Sequence, residues 1–455
     1  MLLELIKNPV LVSVAVMLIL SALRLNVVFS LVISATVGGF CAGMGGEAIM
    51  KAFTSGLKEG AVVAFSYAML GAFSIAISRS GITEVLVKML FRKLNKEVTP
   101  KNILVFKYLL LAILTLAAIS SQNVIPVHIA FIPVLIPPML ALFDKLKLDR
   151  RMVACILTFG LITPYMFMPF GFGQIYLNEI LIKGICSNGL QVTPDMAPKA
   201  MLIPALGMVA GLLTAVFFSY RKERDYSTVS GNGESSAAAS QEFKADEKKI
   251  NALSIGAAVV AIAVALAGQI WLNSLVIAAL GGVLVFVIAG VISLRDTQDV
   301  FTKGVYLMGG IGIVMIAANG FAGVLKATGT IGSLVQLLSS GFGGHKGISI
   351  FFMLFVGLVI TMGIGSSFST VPLIAAIYVP LCIKLGISPL ATVAIVGVAG
   401  ALGDAGSPVS ESVLAPTAGL NADGKHDHIY DSTIPTFLHY NLPLLAAGWI
   451  AGMVL

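Results

Sequence analysis

With 455 residues, of which 57% are hydrophobic and only 11% charged, and a mean hydropathy of +0.97, the chain is too apolar for a water-soluble globule. Its net charge of +7 does not point to nucleic acid, because the basic residues fall in particular loops between apolar runs, as the positive-inside rule describes. Cys41, Cys155, Cys186 and Cys382 form no C-x-x-C pair, so neither a disulfide framework nor a metal site follows from them.

A helix needs roughly 20 apolar residues to cross a bilayer, and the chain offers many such runs. The first, Pro9 to Leu23, leads into a second, Asn26 to Met44, without a small-residue cleavage site, and is read as retained. A third span precedes a segment carrying Arg79, Lys88, Arg92, Lys93, Lys96 and Lys101, and the turn at Asp144 to Arg151 is also basic. Both are expected in the cytoplasm, so residues 103–143 between them must enter and return. Their polar centre, Ser120 to Asn123, fits the tip of a re-entrant hairpin buried in protein. The next span, 151–183, is interrupted at Thr163 to Gly173, where two prolines remove backbone donors and glycines permit unwinding. Pro198 to Tyr220 completes a first half, residues 1–220, and the charged, Ser- and Ala-rich residues 221–249 read as a cytoplasmic linker.

Residues 250–455 repeat this plan. Phe53-Thr54-Ser55-Gly56 recurs as Phe301-Thr302-Lys303-Gly304, an offset of 248, and Ser120-Ser121 with Pro126 recurs as Ser366-Ser367 with Pro372, an offset of 246. The second hairpin is 347–387, turning at Gly365 to Thr370, and the second broken span is 389–419, interrupted at Gly400 to Glu411. Ala327 to Gly344 and Gly184 to Ala197 contain no Lys or Arg and are expected outside. An odd number of crossings per half inverts the second half relative to the first. The expected architecture is an all-α polytopic membrane protein with an inverted-topology repeat: about ten transmembrane helices, two re-entrant hairpins and two broken helices, multi-pass in the cell inner membrane.

Broken helices at matching positions point to a midplane binding site. Asp404 and Glu411 lie in an apolar span, where a charge costs about 2.5–3.5 kcal/mol, so each needs a partner, a proton or a function. Asp404 is the principal candidate, facing the opposite tip near Asn123 by pseudo-symmetry; its alternative role is an N-cap of the following half-helix. Glu411, seven residues on, shares its face if the helix has resumed. The tips supply Ser120, Ser121, Gln122 and Asn123 on one side and Ser366, Ser367, Ser369 and Thr370 on the other, with Thr163, Ser407 and Ser410 at the breaks. These are hard oxygen ligands for Na+, expected at Asn123, Thr370 and Asp404; hydroxyls that merely bond back to helical carbonyls are the plainer reading. His128 is either a proton relay or a buried structural histidine, and His426 and His428 read as a surface loop.

Gly403-Asp404-Ala405-Gly406-Ser407-Pro408-Val409-Ser410, with His426, His428 and Pro435 downstream, resembles the NhaC-type Na+/H+ antiporter family, nearest its YuiF-like branch, within the ion transporter superfamily. The resemblance covers essentially the whole chain and implies inverted repeats, paired hairpins and Na+ or substrate ligands at their tips. Ala405 stands where many members carry a second acidic residue, and neither tip reads as the Ser-Asn-Thr of the superfamily's dicarboxylate carriers.

The function read from these features is secondary active transport driven by a Na+ or H+ gradient, of Na+/H+ antiporter type, by alternating access. Na+- or H+-coupled transport of a small amino acid or organic anion is the alternative, and a channel a more distant one. No H-E-x-x-H, G-x-S-x-G or P-loop motif is present, so neither an enzyme nor ATP as energy source is expected. The expectation is of no cofactor, with Na+ or H+ as coupling ion. Expected partners are a small solute, the coupling cation, the lipid bilayer and a second copy in a homodimer.

Overall fold

The computed structural model describes residues 8–23, 25–82, 100–123, 132, 135–226, 252–272, 274–330 and 345–455, and among these it contains helices and no strand. Helix α1 (Pro9–Ala22) and α2 (Val27–Cys41) each begin at an asparagine, Asn8 and Asn26, whose side chain accepts the amide two residues on. There follow α3 (Gly46–Arg79), α4 (Pro100–Asn123), the short α5 (Leu140–Lys145), α6 (Arg150–Phe167), α7 (Phe172–Ser187) and α8 (Met196–Ser219). After residue 251 come α9 (Ala252–Leu272), α10 (Leu275–Ile288), α11 (Thr297–Ala327), α12 (Lys346–Ile364), α13 (Ser367–Lys384), α14 (Pro389–Gly406), α15 (Glu411–Leu420) and α16 (His428–Val454). Among the described residues six helices are long and apolar enough to cross a membrane, seven if the bent pair α6 and α7 counts as one span, and shorter apolar helices such as α1 and α2 accompany them.

Small residues let α3 and α11 lie backbone against backbone. A Cβ on Gly56 would stand 2.2 Å from the Asn319 carbonyl oxygen and 2.9 Å from Gly320 Cα; one on Gly304 would stand 2.1 Å from Ala72 N. The two helices run antiparallel, since Gly60 meets Ile316 and Arg79 at the end of α3 pairs with Asp299 at the start of α11. Gly56 and Gly304 are 248 positions apart, as are Ala72 and Gly320. The contact therefore maps onto itself when the two helices exchange roles.

Helix α14 is the core. Its residues from Ala391 to Gly406 are all buried, which an all-round apolar helix requires, and it packs on α8, α12, α13 and α16. Helices α12 and α13 are an antiparallel pair: Lys346 Nζ donates to the Gly386 carbonyl at 2.9 Å, and Tyr378 Oη to the Met353 carbonyl at 2.5 Å. Gly365 turns the chain between them at φ 70°, where a Cβ would sit 2.7 Å from the Val409 carbonyl oxygen. No other residue suits both the left-handed backbone and the lack of space.

At one end of the molecule Arg150 is wholly buried. Its guanidinium donates to the Leu420 carbonyl at 3.0 Å, to both Asp423 oxygens at 2.6 and 2.7 Å and to Asp144 at 2.9 Å, and lies 4.4 Å from the Tyr226 ring centre. The start of α6 is thus tied to the end of α15. The polar loop after α15 folds back into this cluster rather than into solvent, which corrects the surface reading of its histidines. His426 is 1% exposed, with Nε2 2.8 Å from Ser432 Oγ. Burial, aided by the Arg150 and Arg224 guanidiniums and opposed by the Asp431 carboxylate, pushes its pKa down to about 3, so it is neutral at physiological pH. His428 is half-buried, with ring nitrogens 3.0 Å from Thr417 Oγ1 and 2.8 Å from the Pro408 carbonyl oxygen. Buried polar groups generally find partners, and this loop supplies most of them, although among the described residues His426 Nδ1 and Arg150 Nε have none.

Candidate functional site

Both predicted interruptions are present. Helix α6, with Pro164 inside it, stops at Phe167, and α7 resumes at Phe172 bent by 53°. Helix α14 stops at Gly406 because Ser407 is extended, and α15 starts at Glu411. Ser407 Oγ donates to the Met362 carbonyl at 2.8 Å and accepts the Val409 amide at 3.2 Å, pinning this break to α12.

The two breaks and the start of α13 converge on Asp404, which is 8% exposed. Ser367 Oγ donates to Asp404 Oδ2 at 2.5 Å and Tyr165 Oη at 2.6 Å, while the two hydroxyls are 2.8 Å apart. The Ser367 amide, at the N-terminus of α13, approaches the same oxygen at 3.4 Å. Ser410 Oγ donates to the Asp404 carbonyl at 2.8 Å and approaches Oδ1 at 3.2 Å. Phe172, Tyr176 and Phe368 pack around the Tyr165 ring, with centroids 5.8, 4.9 and 6.1 Å away. Among the described residues no Lys, Arg or His forms an ion pair with Asp404. The carboxylate is held by hydroxyls and one end of a helix dipole, which orient it without neutralising it.

The N-cap alternative for Asp404 does not hold. Ser410 caps α15, accepting the Ser412 amide at 3.1 Å. Glu411 does not share a helical face with Asp404, because four residues of non-helical chain separate the two helices; it begins α15, half-buried, near Asp404 and the Tyr67 hydroxyl, which is buried and has no hydrogen-bond partner among the described residues. The described partners of Asp404 come from the tip and the break of its own half and from α6, whereas the side chain of Asn123 lies outside the described residues, with those of Gln122 and Ser369 and all of His128.

The other candidates divide. Thr370 Oγ1 bonds back to the Ser366 carbonyl at 2.8 Å, and Ser121 Oγ to the Ala118 carbonyl at 2.8 Å, the plainer use of a hydroxyl in a helix. Ser120 is half-buried on α4, and Ser366 is the residue before α13. Thr163 Oγ1 is buried and, among the described residues, has no hydrogen-bond partner. Tyr165 was not among the predicted residues, since an aromatic in an apolar run reads as packing. Its signal was position, between the prolines of the interruption.

A sequence profile described as the Na+/H+ antiporter family matches residues 156–449, which include both breaks and Asp404. The chain belongs to the Na+/H+ antiporter family. A second profile, described as a Na+-H+ antiporter family, matches residues 8–94. An uncharacterized membrane protein of Vibrio parahaemolyticus is 54% identical, aligned over 98% of this chain and 100% of its own. An uncharacterized membrane protein of Haemophilus influenzae is 52% identical over 99% and 100%. YuiF of Bacillus subtilis, provisionally described as an amino acid transporter, is 46% identical over 98% and 100%. Two solved structures are also similar at low identity. The YdaH transporter of Alcanivorax borkumensis has a TM-score of 0.40 and 14% identity over 89% of this chain and 87% of that one. MtrF of Neisseria gonorrhoeae, whose structure is reported as illuminating a class of antimetabolite efflux pumps, has 0.41 and 15% over 90% and 84%. Membership of this antiporter family, with the apolar helices, makes the chain a multi-pass inner-membrane transporter.

Proposed function

We propose that the chain is a secondary active transporter of Na+/H+ antiporter type, in which Asp404 carries the coupling Na+ or H+ and the two breaks and hairpin tips form an alternating-access site. The observation that carries this reading is the Asp404 carboxylate, buried at the junction of two broken helices and bonded, among the described residues, only to neutral donors. A carboxylate so placed is tolerable when it holds a cation or a proton, and exchange between those states is coupling. Tyr165→Phe tests it. Hydrogen bonds to a charged group contribute about 1.5–3 kcal/mol, so flux should persist in proteoliposomes with the half-saturating coupling-ion concentration shifted roughly tenfold or more. An unchanged half-saturation in an intact Tyr165→Phe protein would place the ion elsewhere.

In this reading residues 1–220 and 250–455 are inverted repeats of five spans and one hairpin each, joined by a cytoplasmic linker at 221–249, with hairpins at 103–143 and 347–387 and broken spans at 151–183 and 389–419. The self-mapping contact of α3 with α11 supports a two-fold axis perpendicular to these antiparallel helices, which for spanning helices lies in the membrane plane. A single cysteine at Lys147 should then react only with reagents that reach the cytoplasm, and one at Asn188 only from outside. Labelling of both from one side would end the inverted-repeat reading.

Transport of a small amino acid is a second reading, favoured by the description of the B. subtilis relative. The N-terminus of α13 at Ser367 offers the positive end of a helix to a substrate carboxylate. Uptake of an amino acid panel, with and without Na+, separates it from bare cation exchange.

A further inference from the structure

An amide side chain is costly in an apolar span unless its polar atoms are bonded, and Asn441 of α16 satisfies only one of them. The residue is completely buried. Its Nδ2 donates to the Leu402 carbonyl of α14 at 2.9 Å, and this bond decides the orientation of the amide, because the flipped form would set two oxygens against each other. Oδ1 is therefore turned toward Gly406, where a Cβ would stand 2.7 Å from it, and among the described residues it has no hydrogen-bond partner. Gly406 is the last residue of α14, and the chain leaves the helix at Ser407 with φ −90° and ψ 140°. The carbonyls of the last turn consequently have no helical amides ahead of them, and they form the negative pole of the half-helix.

An orphan amide oxygen at the carbonyl end of a half-helix is a set of uncharged, hard oxygens. Such a set suits an alkali cation; a divalent ion calls for carboxylates and a transition metal for nitrogen or sulfur. We propose that Asn441 Oδ1 and the carbonyl end of α14 at Gly406 bind Na+ at a position separate from the Asp404 carboxylate. Residues two positions apart on a helix point roughly 200° apart, and accordingly Asp404 meets Tyr165 and Ser367 while Gly406 meets Phe437 and Asn441. The breaking of α14 serves both faces: it frees the carbonyls on one side and lets Ser410 reach the carboxylate on the other. This proposal rests on the coupled-transport reading and adds a second ion to it.

The test is Na+ binding to the purified full-length protein, followed with radioactive Na+ against a K+ background. Wild type should show saturable binding that K+ does not displace. Asn441→Leu, of similar volume but without the oxygen, should raise the half-saturating Na+ concentration tenfold or more, or remove one of two Na+ ions bound. Asp404→Asn should keep the Asn441-dependent ion. A wild-type isotherm in Asn441→Leu would overturn the proposal. Should Asn441→Leu fail to fold, the Asp404→Asn protein decides: residual saturable Na+ binding supports the second position, and loss of all of it puts the cation site on the carboxylate alone. Failure of the proposed function shows separately: no gradient-coupled flux in wild type would end the transport reading, and coupled flux that survives in Asp404→Asn would end the role given to Asp404.

Discussion

Asp404→Asn should reduce gradient-coupled flux in proteoliposomes by roughly 100-fold or more, to the level of empty vesicles, while expression and the size-exclusion profile stay those of wild type. Asn keeps the shape of the side chain and can still accept from Ser367 and Tyr165, so packing around the break survives. What it loses is the charge, and removing one member of a desolvated ion pair costs about 3–5 kcal/mol, which sets the scale of the effect when the partner is the transported cation. Asp404→Glu keeps the charge but changes its reach, and should retain partial flux with altered ion dependence. Flux under imposed Na+ and pH gradients is the measurement. Wild-type rates and unchanged ion dependence in Asp404→Asn would reduce the residue to a clamp between α13 and α14.

The second large effect is expected at Arg150 and falls on stability. The Arg150 side chain is 0% exposed, while its partners Asp423 and Asp144 are 20% and 34% exposed. Arg150→Met removes the cation, five donors and the tie to the Leu420 carbonyl. Losing one side of a buried pair costs about 3–5 kcal/mol, and because both carboxylates reach water the lower end, about 3 kcal/mol, is expected. Thermal unfolding in detergent measures it. A melting temperature within a degree of wild type would show that the loop carrying Asp423 and His426 is held by other contacts.

Much of the architecture was legible because the bilayer restricts what an apolar chain can do. Apolar runs become helices when no water is present to satisfy the backbone, and Pro164, Gly171, Gly406 and Pro408 announced the breaks by what they cannot donate or by what they permit. Asp404 stood out because a carboxylate in such a run is expensive. Its partners were less visible: serines are frequent in membrane helices, and nothing in the sequence separates Ser367, which holds the carboxylate, from Thr370, which bonds its own helix. Tyr165 and Asn441 act through single atoms whose direction depends on where a helix stops. The histidine loop misled for a related reason, since its polarity matches an interior cluster of arginines and aspartates as well as it matches water.

The meeting of α3 and α11 bears on ancestry. A contact that reads the same after its partners exchange places is the kind an isologous homodimer makes, here between two stretches of one polypeptide. Gly56 and Gly304 stand to each other as one residue in two subunits, each pressed against the backbone of the other copy. On the inverted-repeat reading proposed above, this joint is an internal dimer interface, and a bulky residue at Gly56 or Gly304 would strain it.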